Sequence, residues 1–259
     1  MLSQAGFMSF VQPAAPALSA LSQPLRALLQ RGGPATRREG DATLYLGQGQ
    51  PVIVFPVLGG GPASTAPLRR LLDGAGFVTH DWGMGVDTGP RERNLNRWLR
   101  LLEERVIDVA ETEGSSVTLL GWSLGGIYAR ELAKRTNPLV RQVITLGTPF
   151  NTDADLHQRC PLFKVLERGY GEMAVNIRHR LRQCPPVPCT SIYSKTDGLV
   201  PWELCVEKVS PQAENIEVEG ATHRGLPMHP KVLEAITHRL AQPDGEWRPF
   251  DSIAALRLN

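Results

Sequence analysis

The segment 115–133 constrains the fold of this chain more than any other part of the sequence. Residues 117–120 form an apolar run that is typical of a buried strand, and a helical period follows Gly126. The pentapeptide G-W-S-L-G at 121–125 separates the two patterns. The predicted apolar face of the helix carries Leu124, Ile127, Tyr128 and Leu132. The segment therefore predicts a strand, a sharp turn and a helix in immediate succession.

Ser123 lies at the centre of this turn. A sharp turn after a strand forces its central residue into a strained backbone conformation, with the side chain above the sheet. The residues two positions away must then lack bulk, which explains Gly121 and Gly125. The amino end of the following helix also favours developing negative charge. We interpret Ser123 as a nucleophile; the alternative is a glycine-rich connection with an incidental serine.

The G-x-S-x-G pattern in this context resembles the nucleophile elbow of the α/β-hydrolase superfamily, in particular its small bacterial lipase- and esterase-like members. The resemblance covers roughly residues 50–240. It implies an α/β fold with a mostly parallel central sheet, helices on both faces and a small helical cap. It also implies that the catalytic residues follow the order Ser, acid, His. No metal or cofactor is implied.

Chain length and charge limit the other possibilities. A chain of 259 residues can form one substantial α/β domain. Its net charge of +2 gives no basic surface of the kind that binds nucleic acid. The sequence contains no apolar run of the roughly 20 residues that a membrane span needs. The first 25 residues lack a basic region and contain several prolines, so we expect a cytoplasmic protein rather than a secreted one.

The four cysteines are too few for a disulfide scaffold, and their spacing does not match a zinc site. Reduced thiols are the simplest interpretation. A bond from Cys160 to Cys184 or Cys189 is the alternative, and it would require an oxidising compartment.

The chain divides into an amino-terminal arm at 1–40 and a hydrolase domain at 41–259, within which 151–187 form a cap or lid insertion. In the arm, a short helix is expected at 24–30. Strands are expected at 42–46, 51–56, 77–82, 117–120, 141–146, 188–193 and 214–218. Helices are expected from Ser64 or Thr65 to Gly74, at 93–112, after the elbow, twice in the cap, and after Pro230.

The predicted strand at 51–56 leads into a glycine-rich turn. In the family, the loop after this strand supplies the first amide of the oxyanion hole. By position this amide belongs to Leu58, with Val57 and Gly59 as weaker candidates. The second amide is that of Leu124, directly after the nucleophile. The turn departs from the family pattern, because Val57 stands where a glycine is usual.

The resemblance also selects an acid and a base. Asp197 lies in a D-G-x-V-P context after a predicted strand, with Glu203 as a weak substitute. His223 follows the last predicted strand, where the family carries its base. His80 precedes the nucleophile and is assigned a structural or site-rim role. His229 is interpreted as a helix cap or a pocket-rim residue.

Together these residues predict a serine hydrolase that cleaves small-molecule carboxylic esters through an acyl-enzyme. An acyltransferase or thioesterase would use the same intermediate, and a non-catalytic binding protein is a third possibility. Substrate contacts are expected from Val57, Gly59, Met84, Trp122 and Phe150. The apolar side chains of Met84, Trp122 and Phe150 suit an acyl group. The sequence does not define the oligomeric state.

Overall fold

The computed structural model describes residues 47–90, 94–151, 160–167, 173–208 and 210–250. The side chains of 164, 167 and 173–176 are also outside the description. The expected arm at 1–40, its helix at 24–30 and the strand at 42–46 therefore lie outside the described residues. Within them, no helix is both long and apolar enough to cross a membrane.

The described residues form one six-stranded sheet in which every pair of neighbouring strands is parallel. The strands are β1 (Pro51–Phe55), β2 (Val78–Asp81), β3 (Val117–Trp122), β4 (Val140–Leu146), β5 (Cys189–Tyr193) and β6 (Ala213–Glu217). Their order across the sheet is β2-β1-β3-β4-β5-β6. This arrangement confirms the predicted fold class.

Strand β3 is held between β1 and β4, with Gly121 in register with Phe55 on one side and Thr145 on the other. All residues of β1 and β3 are buried, as expected for central strands that are covered on both faces. The carboxyl ends of β1, β3 and β4 consequently end side by side. The loops that follow these three strands lie at one edge of the sheet.

Helices cover both faces of this sheet. They are α1 (Pro62–Gly74), α2 (Leu95–Glu113), α3 (Leu124–Arg135), α4 (Pro161–Glu167), α5 (Met173–Leu181) and α6 (Pro230–Leu240). One apolar cluster combines side chains of α2, α3, α4 and α5, and the other combines those of α1 and α6. The two clusters match the predicted helices on both faces.

The start of α1 differs from the prediction. The helix begins at Pro62 with Gly61 as its N-cap, rather than after Ser64 or Thr65. Proline is favoured in the first turn because its φ is already helical and its missing N–H would have no partner there. The Ser64 hydroxyl still helps to cap the helix, since it accepts from the Gly61 N–H at 3.1 Å and donates to the Gly61 carbonyl at 2.7 Å.

The two short helices that were expected within 151–187 occur as α4 and α5. An ion pair joins α5 to α3, with Arg180 Nε 2.7 Å from Glu131 Oε2. The same buried carboxylate lies 2.7 Å from Lys134 Nζ. Arg180 therefore attaches α5 to the elbow helix α3.

A second ion pair is almost completely buried beside α3. Arg130 Nη1 lies 2.6 Å from Glu207 Oε2, and both side chains are at most 3% exposed. The guanidinium carbon of Arg130 also lies 3.7 Å above the Phe150 ring. Because a buried charge without its partner is costly, this pair should be sensitive to the loss of either member.

We expect Glu207→Gln to lower the free energy of unfolding by about 3–5 kcal/mol, since it leaves the Arg130 charge buried and unpaired. Urea unfolding monitored by circular dichroism measures the loss. The control is Glu246→Gln, which breaks the exposed Arg248–Glu246 pair and should cost under about 1 kcal/mol. Equal losses in the two variants would contradict the assignment.

Candidate active site

The site is built on the turn between β3 and α3. Ser123 has φ 58° and ψ −120°, and it is the one non-glycine residue with positive φ in the described part of the chain. A side chain rarely adopts this conformation unless the surrounding structure imposes it. Ser123 N–H donates to the Leu146 carbonyl at 2.9 Å, which fixes the turn against the end of β4.

Close backbone packing explains the two glycines of the pentapeptide. A Cβ on Gly121 would lie 2.3 Å from Gly126 Cα, and one on Gly125 would lie 2.4 Å from the Pro56 carbonyl oxygen. Neither distance is compatible with a side chain. Gly126 is restricted in the same way, because its Cβ would lie 2.0 Å from Thr148 Oγ1. The loop after β1 is thereby brought against the first turn of α3.

A hydrogen-bonded carboxylate and imidazole lie at the same edge of the sheet. His223 Nδ1 is 2.7 Å from Asp197 Oδ2, and His223 N–H donates to the Asp197 carbonyl at 2.9 Å. Asp197 Oδ1 accepts from the N–H groups of Leu199 and Val200 at 3.0 and 2.7 Å. Because a carboxylate can only accept, Nδ1 carries the proton and Nε2 of the neutral ring is an acceptor.

Two polar atoms at this edge lack partners. Ser123 Oγ and His223 Nε2 are buried, and neither has a hydrogen-bond partner among the described residues. The segments that carry them are in contact, since the indole N–H of Trp122 donates to the His223 carbonyl at 3.0 Å. A hydroxyl and a ring nitrogen able to accept its proton are therefore held on adjoining segments.

Gly147 was not identified as a site residue from the sequence. It follows β4 directly and has φ 53°. A Cβ at this position would lie 3.0 Å from Asp197 Oδ2 and 3.1 Å from His223 Nδ1. The chain therefore passes close to the acid–imidazole pair, and the positive φ at this position favours glycine. Its position at the carboxyl end of a central strand was the available signal.

The turn at 57–60 has two of its amides already engaged. Gly59 N–H donates to the Asp87 carbonyl, and Gly60 N–H donates to the Val57 carbonyl, both at 2.8 Å. Gly59 is thus not a free donor. The N–H groups of Val57, Leu58 and Leu124 have no backbone acceptor among the described residues. Among the residues predicted to supply oxyanion donors, Gly59 is therefore the one whose amide is already bonded to another backbone group.

The residues expected to contact substrate occupy different environments. The Trp122 side chain belongs to the apolar cluster of α1 and α6, and Val57 packs against that cluster. Phe150 is buried beneath Arg130. Met84 and Leu58 are half-buried and pack against the cluster that includes side chains of α2, α3, α4 and α5.

The alternative acid and bases lie elsewhere. His80 Nε2 is 3.1 Å from Glu113 Oε1 at the end of α2, in keeping with a structural role. His229 is the N-cap residue of α6, and burial together with Lys231 lowers its pKa. Glu203 lies in a short 3-10 helix, Trp202–Cys205. The carboxylate that contacts His223 is that of Asp197.

The four cysteines are free thiols. Cys184 contacts Cys189, and the hydrogen bond between these thiols lowers the pKa of Cys184. Cys160 is buried, and burial raises the pKa of its thiol. The structure thus brings together a different pair from the two that the sequence suggested.

The packing of the turn predicts that Gly125→Ala strongly destabilises the fold, because the new methyl group would collide with the backbone at Pro56. We expect a loss of about 3 kcal/mol or more in the free energy of unfolding. Gly74→Ala is the control, since a Cβ there meets nothing within 4 Å. That substitution should be neutral or stabilising by up to about 1 kcal/mol. A tolerated Gly125→Ala would show that the turn is loosely packed.

Comparisons with known proteins agree with this architecture. The model of the alpha/beta hydrolase family matches residues 52–240. No curated protein sequence matches the chain. Among solved structures, the chain is similar to a monoacylglycerol lipase from Paleococcus ferrophilus, with a TM-score of 0.55 and 18% identity over 74% of this chain and 96% of that one.

Two further structures are similar at comparable levels. The lipase BlEst2 of Bacillus licheniformis gives a TM-score of 0.56 and 15% identity over 82% of this chain and 97% of that one. Est1E of Butyrivibrio proteoclasticus with bound ferulic acid gives 0.54 and 15% over 74% and 86%. At such identities these structures show the fold alone. The family model covers most of the chain, and the chain therefore belongs to the alpha/beta hydrolase family.

Proposed function

We propose that this protein is a serine esterase that cleaves carboxylic esters through an acyl-enzyme on Ser123. The observation that carries the proposal is the Asp197–His223 hydrogen bond, which leaves His223 Nε2 as a buried acceptor without a partner among the described residues. Ser123 Oγ is a buried hydroxyl that likewise has no partner in the described part of the chain. A nucleophile and a base oriented by a third group are the requirements of covalent acyl transfer.

In the proposed mechanism His223 is the general base. Its Nε2 removes the proton from Ser123 Oγ as the oxygen attacks the ester carbonyl. Asp197 keeps Nδ1 protonated and stabilises the imidazolium that forms. The protonated ring then donates to the leaving alcohol. A water molecule activated by the same ring hydrolyses the acyl-enzyme.

The oxyanion would be stabilised by two backbone amides. The Leu124 N–H is one of them, because it is the first amide of α3 and has no backbone acceptor within the described residues. Leu58 is proposed as the other, with Val57 as the alternative, whereas the Gly59 N–H is already bonded to Asp87. Each such donor typically contributes about 10²–10³-fold to the rate.

An acyl group would bind beneath the cap. Ser123 is fully buried and His223 is 3% exposed, so a substrate must displace side chains that cover them. Met84 and Leu58 pack against the same apolar cluster as Leu162 and Phe163 of α4. We therefore propose that 151–187 act as a cap over an apolar acyl site. The names of two similar structures, a monoacylglycerol lipase and a lipase, agree with an ester substrate.

The nucleophile can be tested by covalent labelling. A fluorophosphonate probe should modify the protein once, on Ser123, because the probe reacts with an activated serine. Ser123→Ala should abolish labelling, as measured by mass spectrometry of the tryptic peptides. Ser64→Ala is the control and should label like the wild type. Labelling that persists in Ser123→Ala would refute the assignment.

The base can be tested by comparing two histidines. His223→Ala should lower kcat for an aryl ester by at least about 10³-fold, since proton transfer and orientation are lost together. His229→Ala should leave kcat within about threefold and mainly change KM. The reverse result would move the base to His229. A steady-state assay with aryl esters of increasing acyl length measures both effects and also reports the depth of the acyl site.

A further inference from the structure

Asp87 is a buried acid that the proposed mechanism does not use. It lies in the loop 83–90 after β2, and its side chain is fully buried. Its backbone is bonded in both directions to the turn at 57–60. Gly59 N–H donates to the Asp87 carbonyl at 2.8 Å, and Asp87 N–H donates to the Gly60 carbonyl at 2.7 Å. This reciprocal pair fixes the position of the turn relative to Asp87.

The carboxyl group of Asp87 extends the connection to the elbow helix. Asp87 Oδ1 accepts from the Gly89 N–H at 2.8 Å and from the Tyr128 hydroxyl at 3.3 Å. Tyr128 lies on α3, one helical turn after Leu124. The two segments that would supply the oxyanion donors are therefore joined through one carboxyl group and one phenol.

Tyr128 is itself held rigidly. Its ring stacks on Trp82 with centroids 6.2 Å apart and an angle of 4° between the planes. Trp98 contacts the ring edge-on at 6.4 Å and 70°. The Trp82 indole N–H donates to the Gly85 carbonyl at 2.9 Å. Gly85 lies in the same loop as Asp87, so this bond also fixes Trp82 against that loop. Because the ring of Tyr128 is fixed by this packing, its hydroxyl can hold the Asp87 carboxyl group at a defined position relative to the elbow helix.

We propose that Asp87 is a positioning residue that, through Tyr128, holds the turn at 57–60 in register with the elbow helix. The inference rests on the proposed function, because it concerns the alignment of the Leu58 and Leu124 amides. A donor that is misplaced by a fraction of an ångström forms a much weaker bond to the oxyanion, whereas binding of the ester changes much less.

Ionisation of Asp87 gives a first test of this arrangement. Burial raises the pKa of Asp87 from 3.8 to about 7, and the hydrogen bonds from Gly89 and Tyr128 only partly oppose the rise. Tyr128 is the titratable residue that contacts the carboxyl group within the described residues. Its own pKa is raised well above its ordinary value by burial and by the Asp87 charge.

The sign of the effect on stability follows from the raised pKa. The folded protein holds the Asp87 proton more tightly than the unfolded chain does, so stability should fall as the pH rises from about 4 to about 7. Asp87→Asn removes this titration. The melting temperature of the wild type minus that of Asp87→Asn should therefore be larger at pH 5 than at pH 8. An equal difference at both pH values would contradict a buried carboxyl group bonded to Tyr128.

The kinetic test uses Tyr128→Phe, which keeps the stacked ring and removes only the hydroxyl, together with Asp87→Ala and Asp87→Asn. Rates are divided by the concentration of active sites, which is measured by fluorophosphonate titration. A variant with a smaller folded fraction therefore does not show a falsely low kcat. We expect Asp87→Ala to lower kcat at least about tenfold with KM within about twofold. Tyr128→Phe should change kcat in the same direction. Asp87→Asn should lose less than Asp87→Ala, because its amide oxygen can still accept from Gly89 and Tyr128.

A boronic acid inhibitor, which forms a tetrahedral adduct with the serine, supplies the readout specific to positioning. Its inhibition constant should rise by a factor similar to the fall in kcat. Thr237→Val is the matched control, since it removes a buried hydroxyl that donates to Leu233 within α6. It should leave both kinetic quantities unchanged.

The outcomes separate the two proposals. If the wild type neither labels at Ser123 nor hydrolyses aryl esters, the proposed function fails. If the wild type does both, but the Asp87 and Tyr128 variants match it in kcat and in boronate inhibition, the positioning role alone is refuted. A change confined to KM would also refute it.

Discussion

The structure depends on one strained turn, in which Ser123 adopts a positive φ between a buried strand and a buried helix. The conformation is imposed by backbone contacts on three sides: Gly121 against Gly126, Gly125 against Pro56, and Ser123 N–H on Leu146. The two glycine contacts require residues without a side chain. The bond from Ser123 to Leu146 requires that β4 ends beside the turn. The parallel register of β1, β3 and β4 provides this arrangement. The packing of the sheet thus maintains the strained conformation of Ser123 at the carboxyl ends of the strands.

Two buried carboxyl groups beside this turn show how local bonding sets chemistry. Both oxygens of Asp197 are bonded, one to His223 and the other to the amides of Leu199 and Val200. Asp87 Oδ2 has no partner among the described residues, and burial brings its pKa to about 7. The first acid is suited to orient an imidazole. Asp87 is suited to join the turn at 57–60 to the elbow helix, and its carboxyl group gains or loses a proton near neutral pH.

The individual strands and helices and the strained serine were predicted from apolar periodicity and glycine spacing, which are local signals. The parallel sheet with helices on both faces was implied by the family resemblance. The sequence did not predict what depends on contacts between distant segments. Gly147 beneath the acid–imidazole pair, the Asp87–Tyr128 bond and the Arg180–Glu131 ion pair each join residues far apart in the chain. The early start of α1 was missed because the helix was expected to begin at Ser64 or Thr65, whereas Gly61 is the N-cap and Pro62 is the first helical residue. Asp197 and His223 were selected by their order in a family, and the bond between them is visible only in the fold.

The central claim is that Ser123 carries the acyl group during turnover. Rapid quenching of the protein with an aryl ester, followed by mass spectrometry of its peptides, tests it most directly. We predict an added mass equal to the acyl group on the peptide that contains Ser123, appearing with a burst of the aryl alcohol and decaying as the acid is released. Aryl-ester turnover without such an adduct, or with the acyl group on another residue, would contradict the account.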